Sequence, residues 1–223
     1  MAELRIIDVA RRSYLRTLEL QEKLAARAAS CGDELAYLVL VEHEPPAITL
    51  GRSGRSEHIL ASRAELARAG VEVHKSTRGG DVTYHAPGQL VAYPIIRLDL
   101  HGRDVRGYLR NLEEVLIRLL GRFGIASGRR EGLTGVWAGE EKIAAIGVAV
   151  RRWVTYHGVA LNVDPDMSGF EAIVPCGIYD YGVTSMSRLL GRKIAVAEAK
   201  PALIECMVEV FGFARAVEGA VEE

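Results

Sequence analysis

The sequence predicts an α+β domain in which a mixed, largely antiparallel sheet is backed by helices. Two stretches, 105–123 and 195–211, repeat apolar residues at helical spacing, and the segments after Gly135 read as strands joined by connections of a few residues. Connections that short favour antiparallel neighbours, because a parallel crossover needs a dozen residues or more. No linker, repeat or low-complexity block divides the chain, so one domain accounts for the order of elements.

Taken in order, Arg5 to Val9 reads as a first strand, and Tyr14 to Ala29 as a helix with Leu15, Leu18, Leu24, Ala25 and Ala28 near one face. Ser30-Cys31-Gly32-Asp33 turns the chain. Leu35 to Val41 is a continuous aliphatic run suited to a buried strand, and Pro45-Pro46 interrupts the chain before a short strand at Ala47 to Leu50. Ser62 followed three residues later by Glu65 has the form of a capping box, opening a helix that ends near Gly70. Val71 with Val73, then Leu90 to Ile96, have sheet-like character. In the helix over 105–123, Val105, Tyr108, Leu109, Leu112, Leu116 and Leu119 form one face that should cover a sheet, with Gly124 as C-cap. Val136-Trp137, Lys142 to Val150 and Val154 to Val163 are strands, turned at Gly139 and at Arg151-Arg152. The last helix, Ala195 to Phe211, presents Val196, Ala199, Leu203, Met207 and Val210, and with its preceding loop it is a candidate small lobe. The domain is accordingly expected over 1–213, with an acidic tail, 214–223, that frays.

Composition narrows the function. With 223 residues, 49% hydrophobic and 26% charged, the chain has the content of a soluble globular protein. A formal charge of -1 argues against nucleic acid as a partner, because such binders concentrate Lys and Arg on one face. No segment approaches the ~18 apolar residues of a membrane span, and no leader-like apolar run opens the chain, so a cytoplasmic location away from membranes is expected. Cys31, Cys176 and Cys206 are odd in number and widely spaced, which fits neither a disulfide framework nor a zinc site. His43, His58, His74, His85, His101 and His157 show no ligand spacing, and no metal or cofactor is expected.

Chemistry concentrates between Lys75 and Tyr93, which read KSTRGGDVTYHAPGQLVAY. The glycine pair after Arg78 lets backbone amides approach a ligand, and Thr83 and His85, two apart on a strand, point the same way. A glycine turn with a surface arginine is the plainer reading of Arg78-Gly79-Gly80 alone, and an isolated His85 would be an ordinary hydrogen-bonded core histidine. Among the thiols, Cys206 lies on an amphipathic helix and Cys31 in a turn; if any cysteine is a nucleophile it is Cys176, between Pro175 and Gly177, although a lone cysteine in an apolar segment is more often structural. Lys142 would ordinarily be a solvated strand end; placed beside Cys176, its ammonium would favour the thiolate. His157 to Asn162 is a strand punctuated by His157, Gly158 and Asn162, suggesting a site of close backbone approach.

These residues resemble the lipoyl(octanoyl) transferase family. Arg78 to Tyr93 looks like its signature, and Glu42-His43 with Thr49 to Arg52, Lys142 with Ala145 to Gly147, Trp153 to Asn162, and Pro175 to Ile178 with Thr184-Ser185 agree in the same order. The spacer Glu44 to Ile48 departs from the family's usual shorter or more aromatic form. The resemblance implies the fold of the biotin and lipoate protein ligase catalytic domain. It implies Cys176 as acyl-accepting nucleophile and Lys142 as the residue that helps deprotonate it. Substrate contacts are implied for Arg78, Gly79, Gly80, Asp81, Val82, Thr83, Tyr84 and His85, for Ala145, Ile146 and Gly147, and for Gly158, Val159 and Ala160. The implied reaction moves an octanoyl group from octanoyl-acyl carrier protein to a lysine of lipoyl domains, those of 2-oxoacid dehydrogenase complexes and the glycine cleavage H protein. An ATP-dependent ligase of the same fold, a cysteine hydrolase using Cys176 with His85 or His157, and a non-catalytic binder of lipoyl domains are the alternatives.

Overall fold

The computed structural model describes residues 2–31, 35–177 and 181–219. Gly32 and Asp33 of the expected first turn, Ile178 of the Cys176 motif and the last four residues of the expected tail lie outside the described residues.

The elements run β1 (Glu3–Arg12), α1 (Tyr14–Ser30), β2 (Ala36–His43), β3 (Ala47–Leu50), α2 (Arg63–Arg68), β4 (Glu72–Lys75), β5 (Val82–His85), β6 (Gln89–Ile95), α3 (Val105–Arg122), β7 (Gly128–Arg130), β8 (Leu133–Ala138), β9 (Glu141–Arg151), β10 (Val154–Asn162), α4 (Met186–Leu190), α5 (Val196–Phe211) and β11 (Arg215–Glu218). An eight-stranded sheet has the order β11-β1-β2-β6-β10-β9-β8-β7, and a three-stranded sheet the order β4-β3-β5. In the large sheet β11/β1 and β1/β2 are parallel and the other neighbouring pairs are antiparallel; for β7/β8, β8/β9 and β9/β10 the short connections required it.

Strand periodicity sorts β2 between two cores. Leu38 and Leu40 face α3 and α5, where Leu112, Leu116, Leu119, Leu203 and Met207 are buried with them. Tyr37, Val39 and Val41 face α1, against Leu20, Leu24 and Ala28. Burial on both faces is why the run reads as uninterrupted aliphatic residues. Ser62 and Glu65 make both bonds of the capping box that opens α2.

Two expectations are corrected. α5 is no separate lobe: Val196, Ala199, Leu203 and Met207 share the core of α3, so the helix backs the main sheet. The end after Phe213 is not frayed throughout: Arg215–Glu218 pairs in parallel with Glu3 to Ile6 of β1. Four residues with a polar exterior carry too little pattern to announce a strand; the open edge of β1, fixed only by the fold, supplies it. The helix over 105–123 ends one residue early, with Phe123 as C-cap and Gly124 beyond it at φ 76. No helix of the described residues is long and apolar enough to cross a membrane.

Candidate active site

β9 and β10 are register partners, Ala145 opposite Ala160 and Gly147 opposite Gly158. On their α1 side, facing the small sheet, lies a slot of free space of about 480 Å³ including its mouth. Small residues make room for it. A Cβ on Gly147 would stand 3.0 Å from both Arg78 Cδ and the Gly79 carbonyl oxygen, so glycine is what lets the Arg78-Gly79-Gly80 turn close over β9. The Gly79 N–H is committed to the Val148 carbonyl at 2.8 Å, which anchors the turn and removes this amide from the candidates for binding a carbonyl oxygen.

Cys176 and Lys142 meet at one end of the slot. Lys142 Nζ lies 3.2 Å from Cys176 Sγ, although 34 residues separate them. The Lys142 amino group is buried, donates to the Thr134 carbonyl at 3.1 Å and sits 4.9 Å above the Trp137 ring. Gly135, at φ 126, makes room for its methylenes: a Cβ there would be 3.3 Å from Lys142 Cε. The buried Glu113 of α3 accepts the Gly135 N–H at 3.3 Å and pairs with Arg110 and Arg129, holding this part of β8 in place. Cys176 itself has φ 58 and ψ 16, a left-handed conformation that costs a non-glycine residue about 1–3 kcal/mol and is retained where the surroundings impose it. Those surroundings are visible. The Val174 N–H donates to the His58 carbonyl, Gly177 N–H to the Val174 carbonyl, and the His58–Asp81 pair, 2.6 Å apart, packs against Gly177.

Of the residues named from sequence, Arg78, Gly80, Asp81, Thr83, His85, Ala145, Ile146, Gly147, Gly158, Val159, Ala160 and Cys176 line the slot. Val82 and Tyr84 do not: strand alternation turns them into a separate apolar cluster with Ile48, Leu66 and Phe170. Gly79 contributes through its bond to β9. Sequence reasoning missed Tyr14, Val91 and Tyr93 as lining residues and did not give His157 a place there. Tyr14 opens an amphipathic helix and gave no signal; Tyr93 closes the polar stretch and could have been read from it.

Electrostatically the slot holds one permanent cation and several neutral rings. Arg78 is buried, and among the described residues its guanidinium donates only to neutral acceptors: Thr49 Oγ1, the Thr49 carbonyl and the Gly79 carbonyl. Burial lowers its pKa from the ordinary arginine value. Gln89 gives its amide protons to the Tyr84 carbonyl and Asn162 Oδ1, so its Oε1 accepts from His85 Nδ1–H at 3.3 Å. Burial, reinforced by His43 and Arg78, holds His85 well below the usual imidazole range. His157 and His43 are each lowered to about 4, chiefly by burial.

Those two imidazoles make a pH prediction. A histidine depressed from about 6.5 to about 4 on folding contributes stability that is fully present above pH ~6.5 and is lost as pH falls through ~4, because the unfolded chain takes up its proton first. Urea unfolding midpoints are expected to fall between pH 6.5 and 4. In a His43→Gln variant, compared with wild type, that slope should be shallower; an unchanged slope would remove His43 as a cause.

A thiol against a buried amine, heading a slot in an α+β fold, defines the class: a protein with a cysteine–lysine pocket. The chain belongs to the lipoyl protein ligase A/B catalytic domain family, whose model matches residues 13–208. An octanoyltransferase of Chloroflexus aggregans is 52% identical over 214 residues, 95% of this chain and 96% of that protein. In fold, the chain is similar to a lipoate-protein ligase A solved with ATP bound, with TM-score 0.80 and 19% identity over 100% of this chain and 90% of the other. The biotin protein ligase of Aquifex aeolicus is a more distant match, with TM-score 0.53 and 14% identity over 95% of this chain and 70% of the other.

Proposed function

We propose that this chain is an octanoyltransferase that moves an octanoyl group from octanoyl-acyl carrier protein to a lysine of lipoyl domains, with Cys176 as the acyl carrier. The 3.2 Å approach of Lys142 Nζ to Cys176 Sγ at the head of the slot carries this reading, supported by the 52% identical relative. Lys142 takes the thiol proton, and the thiolate attacks the donor's thioester carbonyl. The carbon–sulfur bond to the carrier's phosphopantetheine breaks, and that sulfur leaves with the proton from Lys142. The acceptor's neutral lysine amine then attacks the enzyme thioester, an amide forms, and Cys176 leaves as thiol with the amine's proton.

Exchange between thioesters is nearly balanced and amide formation is downhill, so the reading requires no nucleotide. The lipoyl domains of 2-oxoacid dehydrogenase complexes and the glycine cleavage H protein are the acceptors it implies, in the cytoplasm. The test is intact-mass analysis after incubation with octanoyl-acyl carrier protein and no ATP. One octanoyl adduct on the chain is expected, transferred when a lipoyl domain is added. Strict ATP dependence would establish the ligase alternative instead.

A further inference from the structure

Next to Gly158, the lining of the slot includes His157, whose setting in β10 is unusual. His157 stands in a left-handed conformation, φ 57, where β10 has lost its pairing to β6; its N–H donates instead to the buried Gln21 Oε1 of α1 at 2.8 Å. Tyr156 and His157 are consequently in ring contact, with centroids 4.8 Å apart. The Thr77 hydroxyl ties them together: it donates to the Tyr156 oxygen and faces His157 Nε2, each at 3.1 Å. His157 lines the slot, while Tyr156 lines a second groove of about 600 Å³ including its mouth, bounded by Glu22, Ala25, Ala26 and Ala29 of α1 and by Arg151 and Arg152. Two cavities on the same side of the sheet are thus separated by these rings.

The register locates the wall. Cys176 shares a small pocket with Lys142, Ala145 and Ala160, and Ala145 pairs with Ala160; His157 pairs with Val148, three residues further along β9. At ~3.3 Å per residue that is about 10 Å, room for a medium-length extended acyl chain and little more. We propose that Tyr156 and His157, latched by Thr77, are the specificity-determining end wall that limits acyl chain length. The inference rests on the reading of the slot as an acyl site. Strain at His157, which a plain strand would not carry, is what brings the wall into the path of the chain.

The test is calorimetric binding of free octanoate and free laurate, which needs no chemistry at Cys176 and so is separable from failure of the transfer reaction. Tyr156→Ala, joining slot to groove, is expected to shift the laurate-to-octanoate affinity ratio toward laurate by about tenfold or more, the scale on which apolar pockets discriminate added methylenes. Thr77→Ala, at an exposed position that leaves the fold intact, should shift it the same way by less. Adding Ala25→Trp to Tyr156→Ala refills the groove and should restore the wild-type ratio. Folded Tyr156→Ala and Thr77→Ala proteins with the wild-type ratio, a gain that Ala25→Trp fails to reverse, or no binding of either acid to any of the proteins would each overturn the proposal.

Discussion

Cys176→Ser is expected to eliminate the octanoyl adduct, lowering its rate of formation by at least about 10³-fold, because a serine hydroxyl has a far higher pKa than a thiol and is a far weaker nucleophile at neutral pH. Serine is close in size, so the left-handed turn at Cys176 and its support from Val174, His58 and Asp81 should persist. Intact-mass analysis with octanoyl-acyl carrier protein, together with an unchanged thermal midpoint, checks both halves. An adduct that persists on the folded variant would transfer the acyl-carrying role to another residue.

Lys142→Ala is expected to slow adduct formation by about 10²–10⁴-fold, the usual contribution of a positioned acid or base. The cause is specific: the Lys142 amino group lies 3.2 Å from the sulfur, and its other contacts, the Thr134 carbonyl and the Trp137 face, orient it without competing for a proton as a carboxylate would. Part of the rate should return on adding a small primary amine that fits the vacated space between Gly135 and Trp137. Chemical rescue separates a proton-transfer role from packing, since an amine in solution does not repair a misfolded strand. Stopped-flow single-turnover kinetics would measure it, and a variant as fast as wild type would remove Lys142 from the mechanism.

Much of the fold was legible because the elements that build it bury whole faces. The aliphatic run of β2, the amphipathic faces of α3 and α5 and the capping box of α2 each follow from local physics that no distant contact contradicts. What escaped was short or edge-bound. β7 has three residues, β11 four and α4 five, and a strand or helix of that size is stabilised by its neighbour rather than by its own pattern. The polar stretch from Lys75 to Tyr93 was recognisable as a site, and the strand expected under Thr83 and His85 is Val82–His85, paired with β3. That pairing explains why Thr83 and His85 face the slot while Val82 and Tyr84 face away.

By itself the sequence singled out the candidates for chemistry: one cysteine between proline and glycine, one lysine opening a strand of small residues, and an arginine before paired glycines, types whose reactivity and backbone freedom are local properties. Only the tertiary structure decided that the cysteine and the lysine touch, that Tyr14 from the first helix joins their slot, and that the Tyr156 and His157 rings meet beside it. Those are meetings between segments distant in the chain, set by strand register and by a few backbone bonds across the sheet, and no local pattern encodes a distance between them.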